Sequence, residues 1–217
     1  VNATKAEALA TIIFSGLVLN RQDGPGGIKE NPAQIGGSMA VLLKFSGLVD
    51  RLSEIVGKFS GYLVLACCLI SAGNACIRHV FNYSSNGWLE IQWYLFGFVV
   101  MLGASYTLKL NEHVRVDLIY GAVSERARLW IDVIGLILFL IPACLYLAWL
   151  SWPFFTLSYL QGEMSSNAGG LVRWPIKLII VVGFVLLAIQ GVSELIKRVA
   201  ALMGILQVDT TYEKPLQ

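Results

Sequence analysis

The sequence predicts an all-α polytopic membrane four-helix bundle with an N-terminal amphipathic interfacial helix. Composition is the first reason: 56% of the 217 residues are hydrophobic and 14% are charged, whereas a soluble domain is about 45–50% apolar and about 25% charged. Patterning is the second: apolar residues gather in long blocks instead of alternating with polar ones, and mean hydropathy is +0.68, as spans require and half-buried strands do not. Length is the third. From Ile91 to Leu108 no side chain is charged, and such a run with its flanks, at about 1.5 Å per helical residue, crosses a hydrocarbon layer of roughly 30 Å.

Residues 1–38 are expected to be a flexible leader. Ala8 to Leu19 is apolar but too short to span, and Arg21 to Gly37 is rich in Gly, Pro, Gln and Asn, a coil composition. Glu7 and the lack of a small-x-small cleavage site argue against a secretory signal; the other reading is a leader foreign to the natural protein, with Met39 as its start. Residues 39–203 are expected to form the membrane domain. From Met39 to Phe59, apolar Leu42, Phe45, Leu48, Val49, Leu52, Ile55, Val56 and Phe59 recur at helical intervals, while Lys44, Asp50, Arg51, Ser53, Glu54 and Lys58 take the other face. This is an amphipathic helix on the membrane surface or tilted into the first span.

Span one is read at Phe59 to Phe81, with Gly57-x-x-x-Gly61 and Ser71-x-x-x-Ala75 as small contact faces. Asn82 to Gly87 is a turn. Span two runs from about Leu89 to Leu110, and a polar connection follows in which Ser124 is an N-cap. Span three runs from about Leu129 to Trp152. Pro142 is expected to kink it, and Trp149, Trp152 and Tyr159 suit the interface. After the turn-rich stretch Gln161 to Gly170, span four runs from Pro175 to about Val199. Residues 204–217 read as a polar tail.

Lysine and arginine placement predicts orientation. Lys44, Arg51, Lys58, Lys109, Arg115, Arg126, Arg128, Lys197 and Arg198 lie on one side, against Arg78, Arg173 and Lys177 on the other. The heavier side is cytoplasmic, so both termini are expected inside.

Ionisable residues near spans are functional candidates. Glu90 and Gln92 open span two at the outer face, where Glu90 is expected to pair with Arg78, Arg173 or Lys177. His113, Arg115 and Asp117 stand at the inner face. Asn74 and Gln190 are expected to make interhelical hydrogen bonds, and Glu194 to be solvated. Cys67, Cys68, Cys76 and Cys144 lack metal-ligand spacing and read as buried thiols. Bis-histidine haem ligation fails because His79 and His113 fall at opposite membrane faces. A proton antiporter needs a carboxylate well inside a span, and none is read at mid-depth. Hydrolase and phosphate-loop motifs are absent, and a net charge of +2 with dispersed basic residues offers no nucleic-acid surface. The residues therefore describe a scaffold or accessory subunit, with no catalytic residue, cofactor or metal.

Several motifs stand in a specific order: Glu90, Tyr94-Leu95-Phe96, Gly103-Ala104, His113-Val114-Arg115-Val116-Asp117, Gly162-Glu163-Met164-Ser165-Ser166, Gly169-Gly170-Leu171, Trp174-Pro175-Ile176-Lys177 and Gln190-Gly191-Val192-Ser193-Glu194-Leu195-Ile196. Over roughly residues 40–203 the chain resembles the DctQ-like small membrane subunit of tripartite ATP-independent periplasmic (TRAP) transporters. The resemblance implies a bacterial inner membrane and two protein partners besides the lipid bilayer. One is a periplasmic substrate-binding protein that captures an organic anion, usually a carboxylate. The other is a large TRAP membrane subunit that moves the anion inward on a sodium gradient and holds the substrate and sodium sites. The small subunit would steady the static part of the large one. Glu90, Arg173 and Lys177 would then lie at an outer interface, and His113, Arg115 and Asp117 at an inner one. The competing reading is a non-transport membrane scaffold or assembly factor.

Overall fold

The computed structural model describes residues 29–30, 37–82, 85–111 and 123–207. Four long helices carry the fold: α1 (Gly37–Phe81), α2 (Asn86–Leu110), α3 (Glu125–Leu160) and α4 (Trp174–Leu202). All four are long and apolar enough to cross a membrane. A two-residue antiparallel pair, β1 (Lys29–Glu30) with β2 (Leu206–Gln207), joins the stretch before α1 to the stretch after α4. The remainder of the expected leader and of the polar tail lies outside the described residues.

The fourth helix is the centre of the arrangement. It packs against each of the other three, α1 also packs against α2, and α3 leans mainly on α4. In its most apolar window α4 is 44% buried, against 6–17% for the others. Small residues permit the approach. A Cβ on Gly183 would meet Met101 of α2 at 2.7 Å, and one on Gly191 would meet Leu140 of α3 at 2.7 Å. Large apolar side chains such as Phe96, Phe139 and Trp149 point outward, which suits a lipid surface and not water.

The first helix differs from the expected interfacial segment followed by a span. Residues 37–81 form one uninterrupted helix, about twice as long as a roughly 30 Å layer requires. Its N-terminal half is amphipathic as expected, but the sides are reversed from those of a surface helix. Ser46, Val49 and Ser53 are buried in the bundle, while Leu42, Phe45, Leu48, Leu52, Ile55 and Phe59 are exposed. Of the polar residues, Ser46, Asp50 and Ser53 turn inward, where they find polar partners, while Lys44, Arg51 and Lys58 stay exposed. Of the two small-residue faces, Gly57 lies directly under the Tyr106 ring, whereas Gly61 has no neighbour within 4 Å of an added Cβ.

Helix ends follow local chemistry. Asn111 closes α2 in the left-handed conformation (φ 60°), its N–H donating to the Leu108 carbonyl, which Asn tolerates better than most side chains. Ser124 occupies the N-cap position of α3 with extended backbone, without a capping side-chain hydrogen bond. The expected irregularity at Pro142 is a π-helical turn, Leu136–Leu140, after which the α-helix resumes at Ile141. Pro142 thus falls in the first turn of the resumed segment, where a missing N–H costs little. Pro153 lies inside the same helix. Among the cysteines only Cys144 is buried; Cys67 is half-buried and Cys68 and Cys76 are exposed. Thiols on the lipid side need no burial within the chain, because lipid is already apolar.

Candidate functional site

Two polar clusters sit at opposite ends of α4. The one at its N-terminal end, outer in the expected orientation, is built by the segment between α3 and α4. Glu163 N–H donates to the Ser158 carbonyl (3.0 Å), Arg173 N–H to the Glu163 carbonyl (2.9 Å), and Ser165 N–H to the Leu171 carbonyl (2.9 Å). With Met164 bridged to Val172, these bonds fold the segment back on itself. Gly162 and Gly169 take positive φ (57° and 71°), at little cost for glycine. Gly170 is packed under Ser165, whose Cβ would lie 2.4 Å from an added Cβ.

Glu90, in the second turn of α2, is 4% exposed and holds the tip of this loop. One carboxylate oxygen accepts from Ser165 Oγ and from Asn167 Nδ2 (2.7 Å), the other from the Leu171 N–H (2.7 Å). Tyr94, one turn further along α2, donates to the Val172 carbonyl at 3.2 Å. The expected pairing of Glu90 with Arg78, Arg173 or Lys177 is replaced by these neutral donors. Arg173 and Lys177 go instead to Glu163: Lys177 Nζ donates to Oε2, and Arg173 Nη1 lies 3.5 Å from Oε1. Lys177 Nζ also sits 3.9 Å from the centre of the Phe154 ring, a cation–π contact. The hydrogen bond from Lys177 first, and the positive charge of Arg173 besides, hold the Glu163 carboxyl below its ordinary pKa.

The cluster at the C-terminal end of α4, inner in the expected orientation, joins α1, α3 and α4. Asp50 of α1 receives Lys197 Nζ on both oxygens (3.1 and 3.0 Å), Gln190 Nε2 (2.9 Å) and Ser193 Oγ (3.2 Å). Ser53 Oγ donates to Gln190 Oε1 at 2.7 Å, and the Ser46 and Ser193 hydroxyls are 2.7 Å apart. Lys197 also binds Glu194, Arg198 Nη1 reaches Asp132 of α3 at 2.5 Å, and Arg198 Nη2 reaches Asn111 at 3.1 Å. Gln190 is fully buried and makes the interhelical bonds expected of it. Asn74 makes none among the described residues and instead lines a groove with Arg78 and Gln92. Glu194, expected to be solvated, is 6% exposed and ion-paired.

Of the expected site residues, the structure brings Arg173 and Lys177 together on Glu163, sets Glu90 of α2 against the tip of the same loop, and leaves Arg78 on a separate groove. His113, Arg115 and Asp117 lie outside the described residues. Asp50 and Lys197 were missed as a site. Their signal was present as Ser46, Asp50 and Ser53 facing Gln190, Ser193, Glu194 and Lys197 at helical spacing. Reading the polar face of α1 as water-facing hid it. Among the described residues no group of His, Cys, Asp and Glu could hold a metal ion.

Residues 67–201 match the family described as "Tripartite ATP-independent periplasmic transporters, DctQ component". The chain belongs to the DctQ family. No curated protein and no solved structure matches it. This DctQ protein is a multi-pass membrane component of a TRAP transporter and not an enzyme. The matched stretch contains the whole outer cluster, and on α4 it includes Gln190, Glu194, Lys197 and Arg198 of the inner one, while Asp50 precedes it. A transporter component needs no reacting group of its own, and both clusters are arranged as ties between helices.

Proposed function

We propose that this DctQ protein is the small scaffold subunit of a sodium-driven importer of an organic anion, in the carboxylate class. A periplasmic binding protein delivers the anion, and a large membrane subunit moves it. The observation that supports a scaffold role is the engagement of the carboxylates that face the bundle. Asp50, Glu90, Asp132, Glu163 and Glu194 are each held by hydrogen bonds or cations of the same chain. An ion or substrate path needs polar groups that open to a passing ligand. Carboxylates locked in internal ties make a rigid body against which a moving subunit can work.

In this reading the domain comprises residues 39–203, with both termini on the cytoplasmic side of a bacterial inner membrane. The excess of lysine and arginine at the inner ends of the helices supports that orientation. Glu90 shapes the outer loop, and Arg173 and Lys177, paired on Glu163, form the outer interface. His113, Arg115 and Asp117 form the inner one. The test is a pull-down of the tagged chain from mild detergent, with mass spectrometry of what accompanies it. A stoichiometric large permease is expected, and sodium-dependent carboxylate uptake into vesicles should fall when the chain is deleted. Recovery of the chain without a permease would overturn the subunit role, and uptake unaffected by sodium would overturn the coupling. Asp117→Ala is expected to weaken co-purification, and unchanged recovery of the permease would remove Asp117 from the interface.

A further inference from the structure

At the outer end of the pair α1 and α2 the helices leave a groove of about 440 Å³. Ser71 and Ala75 of α1 are small and leave room. Asn74, Arg78 and His79 of α1 and Gln92 of α2 supply polar groups along it. Asn74 and Arg78 are four residues apart and share one helix face. No carboxylate lines the groove, and among the described residues Arg78 and His79 form no ion pair. Glu90 is spent on the loop at Ser165, Asn167 and Leu171. The groove therefore carries an unmatched guanidinium among neutral donors.

Depth decides what can fill it. Trp88 and Trp93 of α2 flank Gln92 in sequence and are exposed, as aromatic side chains are at the level of lipid headgroups. Below the groove, Val64 and Cys68 of α1 are exposed and, seven and three residues before Ser71 on the same helix face, continue its line towards the middle of the helix, a surface for acyl chains. A polar pocket set on an apolar strip matches the two halves of a phospholipid, whereas an acidic side chain of a protein partner would use the pocket alone. We propose that this groove binds the phosphodiester headgroup of an anionic phospholipid, with the phosphate on Arg78 and its glycerol and headgroup oxygens towards Asn74, His79 and Gln92. The lipid would fill the gap between α1 and α2 and fix the depth of both helices.

The experiment uses the full-length chain, with any membrane partner that accompanies it, in nanodiscs of phosphatidylglycerol and phosphatidylcholine. After mild delipidation the retained lipid is weighed by native mass spectrometry. Phosphatidylglycerol is expected to be retained in preference to phosphatidylcholine, and Arg78→Gln to lower its retention about fivefold, the effect of one arginine on an anionic headgroup. Ala75→Leu fills the groove, keeps the charge, and is expected to lower retention as well; it decides the matter if Arg78→Gln does not fold. Equal retention by the wild type and the folded variants would overturn the proposal. Displacement of the lipid by inorganic phosphate in the buffer would overturn it too, assigning the groove to a free anion. Because the readout is lipid mass, its failure leaves the transporter-subunit reading untouched.

Discussion

At the scale of single residues, the carboxylates divide by the kind of partner they hold. Glu90 gathers neutral donors from one loop, so its removal should loosen that loop without disturbing the helices. Glu90→Ala is expected to speed tryptic cleavage after Arg173 while the helical circular dichroism stays unchanged. Asp50 collects a lysine, an amide and a hydroxyl. Asp50→Ala leaves Lys197 with Glu194 alone and should destabilise the chain by about 3 kcal/mol in detergent unfolding, the usual cost of stripping one partner from a buried pair. Adding Lys197→Met should recover much of that loss. Glu163 gives a pH dependence with a defined sign. Its folded pKa lies below the ordinary 4.5, so its contribution is complete above the unfolded pKa and is lost as pH falls through the lowered folded value. Outer-loop protection is therefore expected to hold from pH 7 to 5 and to fall in stronger acid, whereas Glu163→Gln should be weaker near neutrality and should lack that component of the acid transition.

At the scale of elements, α4 is defined by what its glycines admit. An alanine methyl at Gly183 would collide with the Cβ of Met101 and approach its backbone carbonyl to 3.0 Å, neither of which can swing aside as a side-chain tip can. Gly183→Ala should cost about 1–3 kcal/mol, the range for overpacking a close contact, whereas Gly61→Ala, with open space around it, should be neutral or slightly stabilising. Thermal melts of the two variants in one detergent would distinguish them. The small residues of α1 therefore do not act as one motif: Gly57 is a contact and Gly61 is not. Helix α3 illustrates a second point. Its π-turn before Pro142 lets a long span pass a proline without an interior break, and Leu140 at the end of that turn packs on Gly191 of α4.

For the whole molecule, α4 acts as a mast to which α1 and α3 are tied at the inner end and the outer loop at the other. The outward apolar surface is left to lipid or to a partner. Orientation is testable without a partner. In a cysteine-free background, Ser166→Cys at the exposed outer loop should react with a membrane-impermeant maleimide in intact spheroplasts, and Ser124→Cys only after lysis. The reverse pattern would place the termini outside. The two clusters tie the ends of α4, where helices otherwise fray.

The sequence by itself determined the helical class, the number of spans, the bounds of the second and fourth within a few residues and the family, because length, hydropathy and motif order are properties of a linear chain. Glu90, Arg173 and Lys177 were recognisable as residues of one membrane face for the same reason. Which of them meet was decided by tertiary structure. Glu163 takes both cations and Glu90 takes a loop, since partner choice depends on how the α3–α4 segment folds back and where α2 faces it. The inward turn of α1 was decided the same way. A period of 3.6 shows that a helix has two faces, but either face can meet the bundle, and the presence of Gln190, Ser193 and Lys197 opposite Asp50 draws in Ser46, Asp50 and Ser53 while Lys44 and Arg51 stay exposed.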